Sequence, residues 1–262
     1  MAIGRRSDVV DSDAPRRHFS WKADRGGVAM KETVSAALVL LLSAASASAA
    51  ISTAETKRLQ EASQVVRELR DVPDKGVPDD LWNRAQCVVV IPSMKKAALG
   101  IGGEYGRGVM SCRTKEGSTT WSAPLFMQLA KGTWGLQIGA AEIDLVMLVM
   151  NQRGAEKLLN NKVSLGADAT IAAGPVGRAG SASTDAQFSA EILSYSRSRG
   201  VFAGIDLSGG VLRPDDDPNS DVYGPNKSAR DVVMGTGVPV PTAAQDFVRS
   251  LSQEARATTG KK

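Results

Sequence analysis

The chain has 262 residues, 42% of them apolar and 23% charged, which is enough to bury one sizeable core. Its single histidine, His18, lies in a leader-like segment, so the working domain cannot build a Ser-His-Asp or Cys-His catalytic pair or an imidazole-bound zinc site. Without residues 1–49 the formal charge falls from +4 to a balance of 25 basic against 23 acidic residues; no basic stripe with interleaved aromatics is present, so no nucleic-acid partner is expected.

Residues 1–29 are charged and lack a periodic apolar pattern. From Met30 the chain has the build of a secretory signal: Lys31, the apolar run Val34–Leu42 and the small-residue cleavage site Ala47-Ser48-Ala49. That run is too short to span a bilayer, which needs about 20 apolar residues. Two accounts of residues 1–29 stand: a non-native extension, with translation beginning at Met30, or a twin-arginine leader centred on Arg16-Arg17-His18-Phe19. The expectation is an exported protein, periplasmic and peripherally membrane-associated, with a mature domain over 50–257 and a fraying tail over 258–262.

Ser52-Thr53-Ala54-Glu55 has the pattern of a capping box. It predicts a helix to Arg70 with Leu59, Ala62, Val65, Val66 and Leu69 on one face. Asp79, Asp80, Leu81 and Trp82 after Pro78 start a second, shorter helix. Cys87–Ile91 is an apolar, largely β-branched run that predicts a buried strand. In the next stretch Gly100, Gly102, Gly106 and Gly108 share one parity, interrupted only by Glu104, while Leu99, Ile101, Tyr105 and Val109 share the other. This pattern predicts a strand with one nearly side-chain-free face in a strongly curved sheet.

Trp121–Lys131 and Trp134–Met150 continue as strands, Gly154–Asn160 as a short helix, and Val163–Ala172 as a strand. Ala190–Arg197 and Gly200–Leu212 form a strand pair turning near Arg199-Gly200. Thr242-Ala243-Ala244-Gln245 offers a second capping box for a terminal helix. The resulting fold class is α+β: a single domain with a strongly curved antiparallel sheet and flanking N- and C-terminal helices.

The chemistry-bearing patterns are few. GIGGEYGRG over 100–108 fits neither GxGxxG in register nor a GK[ST] ending, so it reads as a bent strand. Asp215, Asp217, Asn219 and Asp221 have the alternating oxygen spacing of a calcium loop. Pro218, Ser220 and Asn226 break that pattern, and the expectation is a solvated acidic loop capping a helix, without metal. Glu104, Glu142 and Asp144 are expected on the polar face or paired with Arg107 or Arg113. Cys87 and Cys112 either form a disulfide or remain two buried thiols. Lys95-Lys96, Arg178, and Arg197 with Arg199 stand at turns and strand ends. Such cations suit phosphate headgroups, at about 1 kcal/mol each near an anionic bilayer, and also serve as ordinary solubilising residues.

Several segments together resemble the SYLF lipid-binding domain family. They are Trp82 to Pro92 with Lys95-Lys96, GGEYGRGV over 102–109, WSAPLF over 121–126, GLQIGA over 135–140 with Asp144, LGADATIAAGPVGR over 165–178, YSRSRGVFAGIDLSG over 195–209, and Tyr223-Gly224. The resemblance implies a non-enzymatic domain that binds phosphoinositides or other anionic phospholipids, without a cofactor. Lys95, Lys96, Arg178, Arg197 and Arg199 are the candidate headgroup contacts, assigned from charge and turn position. No SH3 or FYVE segment follows and the leader directs the domain away from actin, so actin is not an expected partner. The alternative is an envelope scaffold docking a protein partner. A carboxylate-based hydrolase comes third, because no activated nucleophile can be named.

Overall fold

Two strands of unusual length organise the fold. The computed structural model describes residues 51–70, 77–176, 189–198 and 201–259; residues 1–49, which carry the expected leader and cleavage site, lie outside them. Helices α1 (Thr53–Arg70) and α2 (Asp79–Arg84) lead into strand β1 (Cys87–Cys112), which pairs antiparallel with β2 (Leu125–Val149) from Cys87↔Val149 to Met110↔Leu125. After α3 (Gln152–Leu158), the chain adds β3 (Val163–Ser164), β4 (Ile171–Ala173), β5 (Ile192–Ser198), β6 (Val201–Gly204) and β7 (Val211–Pro214). Helices α4 (Asp216–Tyr223), α5 (Ala229–Val233) and α6 (Gln245–Thr259) complete a single α+β domain.

The seven strands run β3-β7-β2-β5-β4, with β1 on β2 and β6 on β5. β2 shares one edge between two partners: Met127–Ala130 pair with β7, and Asp144–Val149 with β5. Between those stretches β2 has β1 alone beside it. Pairing is antiparallel except for β4 with β5, a departure from the all-antiparallel expectation.

The β1–β2 ribbon is folded in half. Cys87 and Cys112, at the two ends of β1, are joined as a disulfide with their Cα atoms 3.9 Å apart. Between those ends, a Cβ added to Gly108 would lie 2.0 Å from the Val90 carbonyl oxygen, and one on Gly106 would lie 2.5 Å from Ile91 Cγ2 and 2.9 Å from Met94 Cγ. Nearer the fold line, Lys96 Nζ meets Glu104 Oε1 at 3.0 Å. The side-chain-free face read from the glycine parity is therefore the face on which β1 presses against its own first half, and Glu104, which interrupts that parity, faces Lys96. The crest of the fold lies where Leu99 pairs with Ile138 and Ile101 with Trp134, across a register shift. A bulge of this kind bends a ribbon sharply.

A second irregularity stands between Ile91 and Met94, where Pro92 and Ser93 oppose Asp144 and Ser93 takes a positive φ of 53°. The Ser93 N–H, displaced from the ladder, donates to Asp144 Oδ1 at 3.0 Å. The extra residue reverses the parity: Val89 and Ile91 face the inside of the fold before it, and Met94 does so after it.

Both faces of the ribbon base are covered, which is why Cys87–Ile91 is apolar without alternation. Inside, Val89, Ile91, Met110, Leu125, Met127, Leu145 and Met147 pack with Leu165, Leu212 and Val232. Outside, Val88, Val90, Val109, Phe126, Val146 and Tyr195 lie under Leu59, Val65, Val66 and Leu69 of α1, Trp82 of α2 and Phe247 and Leu251 of α6. The amphipathic face of α1 is thus committed to the core.

Some boundaries differ from the sequence reading. The segments ending at Lys131 and starting at Trp134 are one strand, because paired residues continue through Gly132 and Thr133. The segment Val163–Ala172 divides into β3 and β4 around a turn in which Gly166 has φ 90° and Ser164 N donates to Asp168 Oδ2 at 2.7 Å. The segment Gly200–Leu212 likewise divides into β6 and β7. At the C-terminal helix Thr242–Ala244 is a 3-10 turn behind Pro241, with no side-chain cap. At α1 half of the expected box is present: Glu55 N donates to Ser52 Oγ at 3.3 Å, while the Glu55 carboxylate turns to Arg58.

The folded ribbon can be tested by its stability. Gly108→Ala forces a methyl group into a backbone carbonyl that cannot move aside, and is expected to cost about 3 kcal/mol in urea denaturation. Gly132→Ala, with nothing within 4 Å of its added Cβ, is expected to change stability by less than about 1 kcal/mol. Reducing the Cys87–Cys112 bridge, which closes a sequence separation of 25, should lower stability by about 3 kcal/mol, read as the shift in urea midpoint with and without reductant.

Candidate functional site

The predicted headgroup cations stand in unequal surroundings. Lys95 is exposed, two residues past the Ser93 bulge, and forms no ion pair among the described residues. Neither Lys95 nor Lys96 is at a turn or strand end; both lie within β1, opposite Glu142 and Ala141. Lys96 is held across the fold by Glu104. Arg197, opposite Asp144 in the β2–β5 register, is ion-paired with Glu68 of α1 and, at 3.3 Å, with Asp144. Arg178 and Arg199 lie outside the described residues. Two of the five candidates are therefore spent on internal carboxylates.

The acidic segment is built into the fold. Asp216–Tyr223 is a helix, where the sequence predicted a solvated loop, so its alternating residues fan around an axis. Asp215 is buried at its N-terminal end, accepting from Arg58 Nη1 at 3.0 Å and from Gln128 Nε2 at 3.3 Å, with Arg107 Nε at 3.6 Å. Asn219 clamps the backbone of Phe126, donating to its carbonyl and accepting from its N–H, both at 2.9 Å. Asp217 and Asp221 are exposed. Among the described residues no group of three or more His, Cys, Asp or Glu converges as a metal site.

The strand carboxylates also have partners other than those expected. Glu104 takes Lys96, Asp144 takes Ser93 N–H and Arg197, and Glu142 is exposed. Arg107 instead donates to the Tyr105 hydroxyl at 2.9 Å; that bond and the nearby Asp215 carboxylate raise its affinity for its proton. Arg113 is buried, donates to the carbonyls of Ala85, Trp82 and Ser118, and stacks 4.5 Å above the Trp121 ring. Burial lowers its pKa from the ordinary value. A hollow of about 380 Å3 lined by Val222, Tyr223, Val238 and Pro239 has Lys227 and no carboxylate in its lining, so it offers no acid–base pair.

Among the described residues three large apolar side chains are exposed: Ile101 at 69%, Val201 at 55% and Tyr105 at 45%. Sequence reasoning missed the exposure of Ile101 and Tyr105 because the alternation Leu99-Ile101-Tyr105-Val109 looks like a core face. Of Ile101, Tyr105 and Val109, only the last lies under the helices. The Arg58–Asp215 pair was also missed; its partners stand 157 residues apart and no local pattern links them.

The family described as Ysc84, "Las17-binding protein actin regulator", matches residues 130–254. The SH3 domain-containing YSC84-like protein 1 of Rattus norvegicus is 31% identical over 199 residues, covering 74% of this chain and 57% of the relative. LAS seventeen-binding protein 3 of Saccharomyces cerevisiae is 31% identical over 186 residues, covering 70% of this chain and 39% of the relative. The chain belongs to the SYLF, or Ysc84, family. It spans a little over half of the rat relative's length and about two fifths of the yeast one's. The family match begins within β2 and ends within α6, so most of β2 and the elements from α3 to α5 lie inside it, while α1, α2 and β1 precede it.

The Arg58–Asp215 pair ties α1 to the start of α4 through side chains only 7% and 5% exposed. Removing one partner strands a buried charge, so Asp215→Ala is expected to lose about 3 kcal/mol of stability, measured by chemical denaturation. Lys95→Glu, on an exposed site, should change it by less than about 0.5 kcal/mol.

Proposed function

We propose that this SYLF domain is a non-enzymatic membrane-surface binder, exported from the cytoplasm, that recognises anionic phospholipid headgroups. The observation that carries this reading is Lys95: a cation exposed on the convex side of the ribbon, opposite the exposed Glu142, and without an ion-pair partner among the described residues. Arg107, half-exposed on the same strand, is ion-paired with the buried Asp215 and is not counted as a second free cation. The family resemblance supports lipid as the ligand class, and the lack of histidine in the domain agrees with binding rather than hydrolysis.

In this reading Lys96 and Arg197 are structural, since detaching either from its carboxylates leaves Glu104, Glu68 or Asp144 without its cation. The α1 face does not insert. Leu59, Val65, Val66 and Leu69 each gain about 1.5–3 kcal/mol from burial, and a membrane would compensate for their extraction without covering the Val88, Val90 and Phe126 surface left behind.

A second reading, docking of a protein partner, is favoured by the description of the family and by the name of the yeast relative, both of which specify binding to Las17. Strand addition at β3 and β4 is poorly served, because they have two and three residues; β1, paired with β2 alone, has a longer edge.

Co-sedimentation of the purified protein with vesicles separates these readings. Binding to phosphatidylglycerol-containing vesicles should exceed binding to neutral ones and weaken as salt rises, because headgroup attraction is screened over about 10 Å at 0.1 M. Lys95→Glu should lower that binding about thirtyfold, the loss of one attraction and gain of one repulsion at about 1 kcal/mol per charge. Folded protein that ignores anionic vesicles at low salt would remove the lipid reading in favour of a protein partner.

A further inference from the structure

We infer that the crest of the folded β1–β2 ribbon is a shallow wedge that enters the interfacial layer of a phospholipid bilayer; this rests on the membrane-binding reading and names the part of the domain that enters the lipid. The first observation is a gap in the charge pattern. Residues 97–103 of β1 and 132–141 of β2 contain no charged side chain, whereas Lys96, Glu104, Lys131 and Glu142 bound both segments. The register superposes these gaps, pairing Leu99 with Ile138 and Ile101 with Trp134, so the uncharged stretch of each strand lies beside that of the other.

The second observation is exposure. Among the described residues Ile101 is the most exposed of the large apolar side chains, and the buried contacts of α1, α2 and α6 with the ribbon lie at its base. Gly103 and Gly132 are directly paired. A Cβ on Gly132 would meet nothing within 4 Å, and one on Gly103 only the Lys131 carbonyl oxygen at 3.9 Å. The crest is thus thin and convex, without the concave walls that a helix or peptide partner needs. Val201 opens β6 beyond Ser198, on the crest side of the Asp144↔Arg197 rung, and adds a lateral apolar point at the same end.

The third observation is the placement of cations. Lys131 stands three residues from Trp134 and Lys95 four from Leu99, about 10–13 Å back along the strands at 3.3 Å per residue. That distance matches an apolar segment seated about 5–10 Å into the boundary between headgroups and acyl chains, with lysines left at phosphate level. It also sets a limit. In the crest each strand has a single partner, so one edge of each carries unpaired backbone groups that hydrocarbon would not satisfy. The wedge therefore stops at the interface.

The test places an environment-sensitive thiol label, NBD, on the full chain at Ile101→Cys, with Glu116→Cys in the exposed β1–β2 turn at the other end as control, without reductant. With phosphatidylglycerol vesicles, the label at 101 should shift to the blue, brighten several-fold and be quenched by phospholipid brominated near the top of the acyl chain; the label at 116 should do none of these. Flotation is read on the same samples. Protein that floats while the label at 101 stays water-like overturns the wedge and leaves membrane binding intact; protein that does not float overturns both. A shift at 101 that grows with protein concentration in the absence of lipid assigns the crest to a second copy and also overturns the proposal. Unlabelled Ile101→Ser provides the independent arm: vesicle affinity should fall at least about tenfold with an unchanged melting temperature, and undiminished flotation counts against the wedge.

Discussion

The two halves of β1 lie so close together that the remainder of the domain is arranged around their contact. Backbone-to-backbone contact between Val90 and Gly108 is possible only because position 108 has no side chain, and the same holds where Gly106 meets Ile91 and Met94. These contacts fold the ribbon in half and bring Cys87 to Cys112. At the base, methionine and aliphatic side chains fill the inside beside the disulfide. β2 follows β1 around the bend, so its two halves face different neighbours, and β7 and β5 take the same edge of one strand at separate levels. The helices then cover what the bend leaves apolar on the outside.

The balance of charges is a product of that geometry. Folding the ribbon brings Lys96 to Glu104 across the inside, and packing α1 on the outside brings Glu68 to Arg197 and Arg58 to Asp215. Each pair is a cation drawn inward by a carboxylate whose burial would otherwise be costly. A count of basic residues in the sequence therefore overstates the surface available to a headgroup. Lys95 escapes because the Ser93 bulge reverses parity between Ile91 and Met94 and turns position 95 to the convex side.

The legible parts of the sequence were those with a local cause. The α1 stripe, the buried Cys87–Ile91 run and the side-chain-free glycine face each arise from periodicity within one segment, and the curved α+β fold arises from them together. The glycine parity revealed that something approaches the strand closely, but not that the strand meets itself, since Val90 and Gly108 are linked only through the bend. The acidic segment was misjudged because its alternating spacing imitates a ligand loop, whereas long-range partners such as Arg58 and the Phe126 backbone decide its conformation. The headgroup residues were assigned by charge and turn position, and long-range pairing removed two of them from consideration. Family resemblance supplied the ligand class, which no single motif in the chain specifies.

The crest's exposure is a consequence of the fold rather than an accident of surface composition. A ribbon bent double must have an apex, and at that apex the strands have run beyond β5, β7 and the covering helices. A fold selected only for stability would place charged or polar residues there, since nothing is gained by an isoleucine that stays in water. The chain instead withholds charge from both strands over the same rungs and restores it at Lys96, Glu104, Lys131 and Glu142. Glycine keeps the apex thin enough to bend, and among its alanines, Thr133 and Gln137 the apex carries Leu99, Ile101, Leu136, Ile138 and Trp134, the last a residue type that membrane interfaces favour. The glycines that allow the fold and the apolar residues that leave it exposed thus belong to one device, in which the stability of the bent base holds out an apex that adds little to stability itself.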